Sequence, residues 1–326
     1  MSPRAKILIV APMSFGAAAE EFAANCQRAL GDFPSSVYIV GKETGYRLPT
    51  SDQVPRGSLI VGGVATELGM RLAKLAVDVD GVHLEVGALS GAALGQNSLR
   101  LTGDVGHTVA IASAAVPTPS HVLAESSEFG RSVTVAWKRI HPSFEVTERC
   151  SAEERFAGVR TRNGDILVAI ARSPIPERIC RAAATSAPHL RIVGIGSWGR
   201  SAVGEAISQL GPEVRFVDVL PAPLLRGEDL VREVRDSLMG HLQVRQTVYG
   251  DLGWAAGLFV RRALTTMGST ALASTTLRSL QLSATATAFG HGIAFGSDGS
   301  NLTGRKWLLE WRKGEVALVT EEPAWT

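Results

Sequence analysis

Three short hydroxyl side chains follow apolar, strand-length runs: Ser14 after KILIVAP, Thr66 after SLIVGG and Ser197 after RIVGIG. A hydroxyl at a strand end either grips a small polar molecule beside backbone N–H and C=O groups or caps the next helix. Phe15 beside Ser14 and Trp198 beside Ser197 add apolar surface, as a ligand wall or as packing between layers. Thr66 also opens a helical pattern, whose exposed N–H groups attract a carboxylate.

Covalent and metal chemistry find less support. GxSxG, GxxxxGK[ST], HExxH and a well-placed GxGxxG are all missing. GIGSWG has the glycine spacing of the dinucleotide fingerprint but no clear acidic partner further on, so no cofactor is expected. The histidines at 83, 107, 121, 141, 189, 241 and 291 are dispersed, and His291, between Gly290 and Gly292, reads as a turn residue. Cys26, Cys150 and Cys180 lack compact metal-ligand spacing and read as reduced or buried thiols, with one disulfide as the alternative. In FGSDGSNLTG, Asp298 and Gly299 suit a tight turn while Asn301 and Thr303 satisfy backbone. The stretch lacks the ligand spacing of an EF-hand loop.

These loops need a scaffold, and the composition supports a packed one. The 326 residues are 45% apolar and 20% charged, enough for a substantial core divided into two lobes. With 33 basic and 31 acidic residues, net +2, the chain carries no polyanion footprint, and nucleic acid is not expected as a partner. No stretch approaches the ~20 apolar residues of a bilayer span. MSPRAKILIVAP does not resemble a complete secretory signal, so the expected location is cytoplasmic, with the extracytoplasmic alternative if a signal was removed.

Strand, helix and loop patterns alternate along the chain, which predicts a mostly parallel α/β sheet in each lobe. KILIVAP, VYIVG, SLIVGG, GVHLEVG, DILVAIA, RIVGIG and VRFVDVL read as strands. AAAEEFAANCQRAL, ATELGMRLAKLAVDV, PERICRAAATSAPH, GEDLVREVRDSLMGHL and DLGWAAGLFVRRALTTMG read as helices. SVTVAWK, rich in β-branched residues, also reads as a strand, and VPTPSHVLAESSEF as a crossing between lobes. The closing HGIAFGSDGSNLTG and KWLLEWRKGEVALVT change period and predict antiparallel edge or hairpin strands.

The order of these blocks resembles the type I periplasmic-binding-protein family, especially its branched-chain amino-acid and amide-binding members. KILIVAPMSFGAAAEEFAANCQRAL resembles the family's first strand and helix. SLIVGGVATELGMRLAKLAVDVDGVHLEVGALSG resembles its second ligand-loop region and the strand after it. YGDLGWAAGLFVRRALTTMGSTALASTTLRSLQ resembles the late helix of the first lobe and its successor. ATAFGHGIAFGSDGSNLTGRKWLLEWRKGEVALV resembles the final strand, turn and strand.

The resemblance implies two Rossmann-like α/β lobes joined by three crossings, with a ligand in the interlobe cleft. The first lobe would combine residues 1–113 with 246–288, and the second 114–245 with 289–326. It adds Ala65 to Thr66 as a small-residue ligand loop, and Ala88 and Ser90 as the binder of an amino-acid head. Tyr249 and Asp251 would sit near the late helix start, the acid pairing with a ligand ammonium or serving as an N-cap. The implied function is noncatalytic binding of a small polar molecule, an amino acid or amide, with a signalling protein or ABC transporter as partner. The alternatives are a cleft hydrolase or transferase and a protein-interaction scaffold. Two departures, a compressed stretch from Leu30 to Pro55 and a short run after SVTVAWKRIHPSFEVT, leave open a ligand other than a branched-chain amino acid.

Overall fold

The computed structural model describes residues 6–13, 16–41, 47–63, 66–87, 95, 97–116, 118–149, 164–172, 174–199, 201–207, 211–218, 248–268, 274–287 and 291–319. The chain divides into two compact units. The first comprises Met1–Ala88, Ala92–Gly103 and Leu220–Arg305, and the second Leu89–Gly91, Asp104–Val219 and Lys306–Thr326.

In the first unit, β1 (Ile7–Pro12) is ILIVAP, buried at all six positions, as a strand covered on both faces must be. Helix α1 (Ala17–Leu30) buries Ala18, Ala19, Phe22, Ala23, Cys26, Ala29 and Leu30, a stripe at helical spacing, and ends at Gly31. Then come β2 (Ser35–Val40), β3 (Leu59–Gly62), α2 (Thr66–Asp78), β4 (Val82–Glu85) and β5 (Ser98–Arg100). Among the described residues no helix separates β2 from β3, which is the compression seen in the sequence.

The sheet order is β2-β1-β3-β4-β5, and every pairing is parallel. The carboxyl ends of all five strands therefore share one edge. In the second unit, α3 (Val105–Ala115) leads to β6 (His121–Glu125), α4 (Glu128–Ile140), β7 (Val146–Arg149), β8 (Ile166–Ala171) and α5 (Ile175–Ser186). β9 (Arg191–Gly196), α6 (Ser201–Ile207) and β10 (Glu213–Asp218) follow. The first unit resumes with α7 (Val248–Met267), α8 (Ser274–Ser279), β11 (Gln281–Leu282) and β12 (Ile293–Ala294). The second unit closes with β13 (Trp307–Arg312) and β14 (Glu315–Leu318).

The second sheet runs β14-β13-β10-β9-β8-β6-β7, parallel from β10 to β7, with β13 and β14 antiparallel at one edge. Lys313 and Gly314 both have positive φ, as a two-residue hairpin turn requires. The core on one face gathers Val105, Val109 and Ala112 of α3, Phe129, Val133 and Trp137 of α4, and strand residues from Val122 to Leu308.

Several sequence expectations are corrected. SVTVAWK lies inside α4, because Ser127 caps the helix by accepting from the Gly130 N–H (3.1 Å) and Phe129, Val133 and Trp137 fall on one buried stripe. Tertiary burial and the cap outweigh β propensity. VPTPSHVLAESSEF contains β6, paired on both sides within the second sheet. Among the described residues, α3 and residues 291–305 fall in other units than the sequence-based division gave them. α3 belongs to the second unit, where it packs on α4. Residues 291–305 belong to the first, where the Arg100 N–H donates to the Gly299 carbonyl (3.0 Å). GEDLVREVRDSLMGHL lies outside the described residues.

Candidate functional site

Parallel register decides which candidate residues share a neighbourhood. β1, β3 and β4 are adjacent in the first sheet. The loops that follow them are Met13–Phe15, Gly63–Thr66 and Gly87–Ser90, so all three leave the same carboxyl edge, where open α/β sheets bind ligands. Ser14, Phe15, Ala65, Ala88 and Ser90 themselves lie outside the described residues.

α7 brings a fourth segment to that edge. Gly253 lies against the Phe22 carbonyl and Gly257 against that of Cys26, so α7 runs parallel to α1 in close contact. Gly250 meets Glu21 and Asn25, which places Tyr249 and Asp251, in the first turn of α7, beside the early turns of α1. Tyr249 is half-buried. Thr66 is the first residue of α2, with its side chain buried.

Beneath these loops lies a polar group that sequence reading missed. Glu85 closes β4 opposite Arg100 of β5, and the two form a buried ion pair. His83, two residues before Glu85 and so on the same face, is fully buried. Burial, and then the charge of Arg100, push its pKa down to about 3. Gly63 has φ +81, and a side chain there would press on His83 Nε2 and the Glu85 stem, at 3.1 and 3.3 Å from its Cβ. Gly63 thus rests directly on this polar layer.

In the second unit, Ser197 and Trp198 follow β9 at the carboxyl edge of the parallel strands. The Ser197 N–H donates to the Ala171 carbonyl at the end of β8 (3.1 Å). Trp198 is fully buried: its ring covers Gly194, where an added Cβ would fall 2.2 Å from Cγ, and its carbonyl accepts from Trp311 Nε1 (2.8 Å). Its ring presents no surface to a ligand in this arrangement.

The same edge carries a second cluster absent from the sequence reading. Glu125, the last residue of β6, accepts from the Arg172 backbone N–H (2.6 Å), Arg172 Nε (2.7 Å) and Ser127 Oγ (2.5 Å). The Arg172 guanidinium stands 5.2 Å from the centre of the Phe129 ring. The clue in the sequence is a charged residue directly after each of two buried runs, HVLA and DILVAIA.

Ser113 Oγ contacts His141 Nε2 at 2.6 Å, a pairing familiar from nucleophilic catalysis. It joins the carboxyl ends of α3 and α4, which lead into the starts of β6 and β7, so it lies at the opposite edge of the second sheet from Ser197. Among the described residues no group of three or more His, Cys, Asp or Glu could hold a metal. Cys26 and Cys180 are buried free thiols, and burial pushes both pKa values up to about 12.

No protein-family profile and no curated protein sequence matches the chain. Solved structures do resemble it over nearly its whole length. A solute-binding protein of an R. palustris ABC transporter, in complex with benzoate, has a TM-score of 0.74 at 14% identity, covering 97% of this chain and 96% of that one. A leucine-binding protein of Thermotoga maritima has a TM-score of 0.73 at 13% identity, covering 96% and 97%. A branched-chain amino-acid transporter substrate-binding protein of Streptococcus pneumoniae, in complex with isoleucine, has 0.69 at 11%, covering 95% and 97%. The fold is that of the type I periplasmic binding proteins. The three structures named are solute-, leucine- and substrate-binding proteins.

Proposed function

We propose that this protein binds a small polar molecule without transforming it, as a receptor for sensing or for solute delivery. The observation that carries the reading is that the carboxyl ends of β1, β3 and β4 and the start of α7 lie at one edge of the first sheet. Thr66 and Tyr249 stand at that edge, and Ser14, Phe15, Ala65, Ala88, Ser90 and Asp251 are the further ligand contacts expected from the sequence. Ser197 is a separate candidate, at the carboxyl edge of the second sheet.

The fold supports this reading because its solved representatives include proteins bound to benzoate and isoleucine. It also favours the extracytoplasmic alternative over a cytoplasmic location, since similar structures include a periplasmic binding protein and an extracellular ligand-binding receptor. An ABC transporter or a signalling protein would then be the partner. No described helix is long and apolar enough to cross a membrane.

Native mass spectrometry of the purified chain, followed by calorimetry with the retained molecule or with leucine, isoleucine and benzoate, tests the proposal. One-to-one binding without turnover is the expected result. Chemical conversion of the bound molecule, or no binding across a broad metabolite set, would overturn it.

A further inference from the structure

His83 and Glu85 sit at a junction inside the first unit. Gly62 of β3 pairs with Glu85 of β4, and Glu85 with Arg100 of β5, while His83 pairs with Ile60 and Ser98. Residues paired across parallel strands share a face, so Ile60, Gly62, His83, Glu85, Ser98 and Arg100 all look the same way. That way is toward α2, because a Cβ on Gly62 would stand 2.9 Å from Leu72 Cδ1.

Where β3 ends, Gly63 turns the chain with φ +81, and α2 begins at Thr66. The space that a Cβ on Gly63 would need is bounded by three atoms: His83 Nε2 at 3.1 Å, the Gly69 Cα of α2 at 3.2 Å and Glu85 Cγ at 3.3 Å. The turn is thus held between α2 and two side chains of β4. Those side chains are themselves fixed. His83 is fully buried, Glu85 is paired with Arg100, and the Arg100 N–H donates to the Gly299 carbonyl (3.0 Å). The Gly62 carbonyl also accepts from the Val86 N–H (3.0 Å), which ties the end of β3 to the chain leaving β4. A binding edge needs such backing, since its groups keep their geometry only when the residues behind them are locked.

We infer that His83 and Glu85 are positioning residues for ligand binding: without touching the ligand, they set the placement of Gly63 and of the first turn of α2. The inference rests on the receptor reading above. A change at His83 is therefore felt in affinity beyond its effect on stability, and first at the start of α2.

The test compares His83→Ala with Leu75→Ala, a buried truncation further along α2 that leaves Gly63 its support. Full-length variants are titrated calorimetrically with a metabolite set that includes leucine, isoleucine and benzoate, unfolded in urea, and followed by amide hydrogen exchange. His83→Ala is expected to weaken binding of whichever probe the wild type takes by about two- to thirtyfold, the range for a residue acting through its neighbours. Exchange should quicken at Gly63 and Thr66–Leu68 before β1 is affected. Leu75→Ala should lower stability while leaving affinity unchanged. Gly63→Ala should weaken binding less in the His83→Ala background than in wild type, because part of its cost is the contact with the ring. If His83→Ala does not fold, His83→Asn carries the same comparison. Unchanged affinity in the folded His83 variant, an equal loss in Leu75→Ala, strictly additive losses with Gly63→Ala, or exchange that quickens evenly across the first sheet overturns the positioning role and leaves the receptor reading intact. A wild type that binds nothing in the set overturns both.

Discussion

Glu85 and Arg100 face each other across β4 and β5, and their carboxylate and guanidinium form an ion pair almost wholly removed from solvent. A pair in this position holds together only while both charges are present, because either one alone is left unsolvated. Arg100→Met should therefore destabilise the fold by about 3–5 kcal/mol, measured by denaturant unfolding. Glu85→Leu/Arg100→Met, which removes both charges, should cost clearly less than that single substitution. A double variant as unstable as Arg100→Met would show that the pair is not the dominant interaction at this site.

His83 gives the same region a pH dependence. In the folded chain its imidazole resists protonation down to about pH 3, whereas in the unfolded chain it takes up a proton near the ordinary value of 6.5. Between those values the unfolded state binds more protons, so stability falls as pH is lowered through that window, with a slope approaching about 1.4 kcal/mol per pH unit at its steepest. His83→Leu should flatten the curve between pH 6 and pH 4 relative to wild type. Other groups titrate there too, so the wild-type-minus-variant difference is the quantity to follow. Parallel curves for the two proteins would contradict a neutral, buried His83.

Trp198 and Gly194 make a packing pair within the second unit. The ring occupies the space a Cβ at 194 would need, and its neighbourhood is closed by Trp311, whose Nε1 reaches the Trp198 carbonyl. Gly194→Ala is expected to cost about 1–3 kcal/mol or more through overpacking, and Trp198→Ala about 3–5 kcal/mol through the cavity it opens. Combined, the two should cost less than their sum, since the alanine methyl then projects into vacated space. Additive losses in urea unfolding would argue against direct contact.

These residues also show what was legible in the sequence. The alternating α/β order, the buried strands ILIVAP, ILVAIA and RIVGIG, the long helix from 248 and the closing antiparallel hairpin all followed from local periodicity and turn chemistry. α4 did not, because its Val and Thr content favours a strand locally while its Ser127 cap and burial stripe act only in three dimensions. Trp198 was ambiguous for a related reason: a glycine-flanked tryptophan suits a loop wall and a packing layer equally, and only the neighbouring strand shows which space it fills. Glu125 and Arg172 stand 47 residues apart, and nothing local announces that two strand ends bring them together. His83 and Arg100 were hidden likewise, on short strands whose pairing places them face to face with Ser98 and Glu85.

Asn301 supplies the remaining prediction, on the turn whose structural role the sequence suggested. Its side-chain amide is used from both ends: Nδ2 donates to the Leu101 carbonyl (2.9 Å) and the Gly292 carbonyl (3.0 Å), while Oδ1 accepts from the Ala294 N–H (3.0 Å), the Thr303 N–H (3.1 Å) and Thr303 Oγ1 (2.9 Å). One buried side chain thereby ties β12, the turn and the residue after β5 together across 200 positions of sequence. Asn301→Asp keeps the shape and the acceptor but replaces the donor with an anion facing two carbonyl oxygens. It should be the more damaging change at neutral pH, whereas Asn301→Ala loses the bonds without adding a repulsive charge. Each orphaned buried group costs about 1–3 kcal/mol, so Asn301→Ala should lose several kcal/mol and expose residues 291–305 to faster hydrogen exchange than the β1–β3 core. Restored stability of Asn301→Asp at acid pH, where its carboxyl regains a proton to donate, would separate the lost donor from the lost shape. Exchange protection at Ala294 and Thr303 unchanged from wild type in Asn301→Ala would show that the turn holds without this amide.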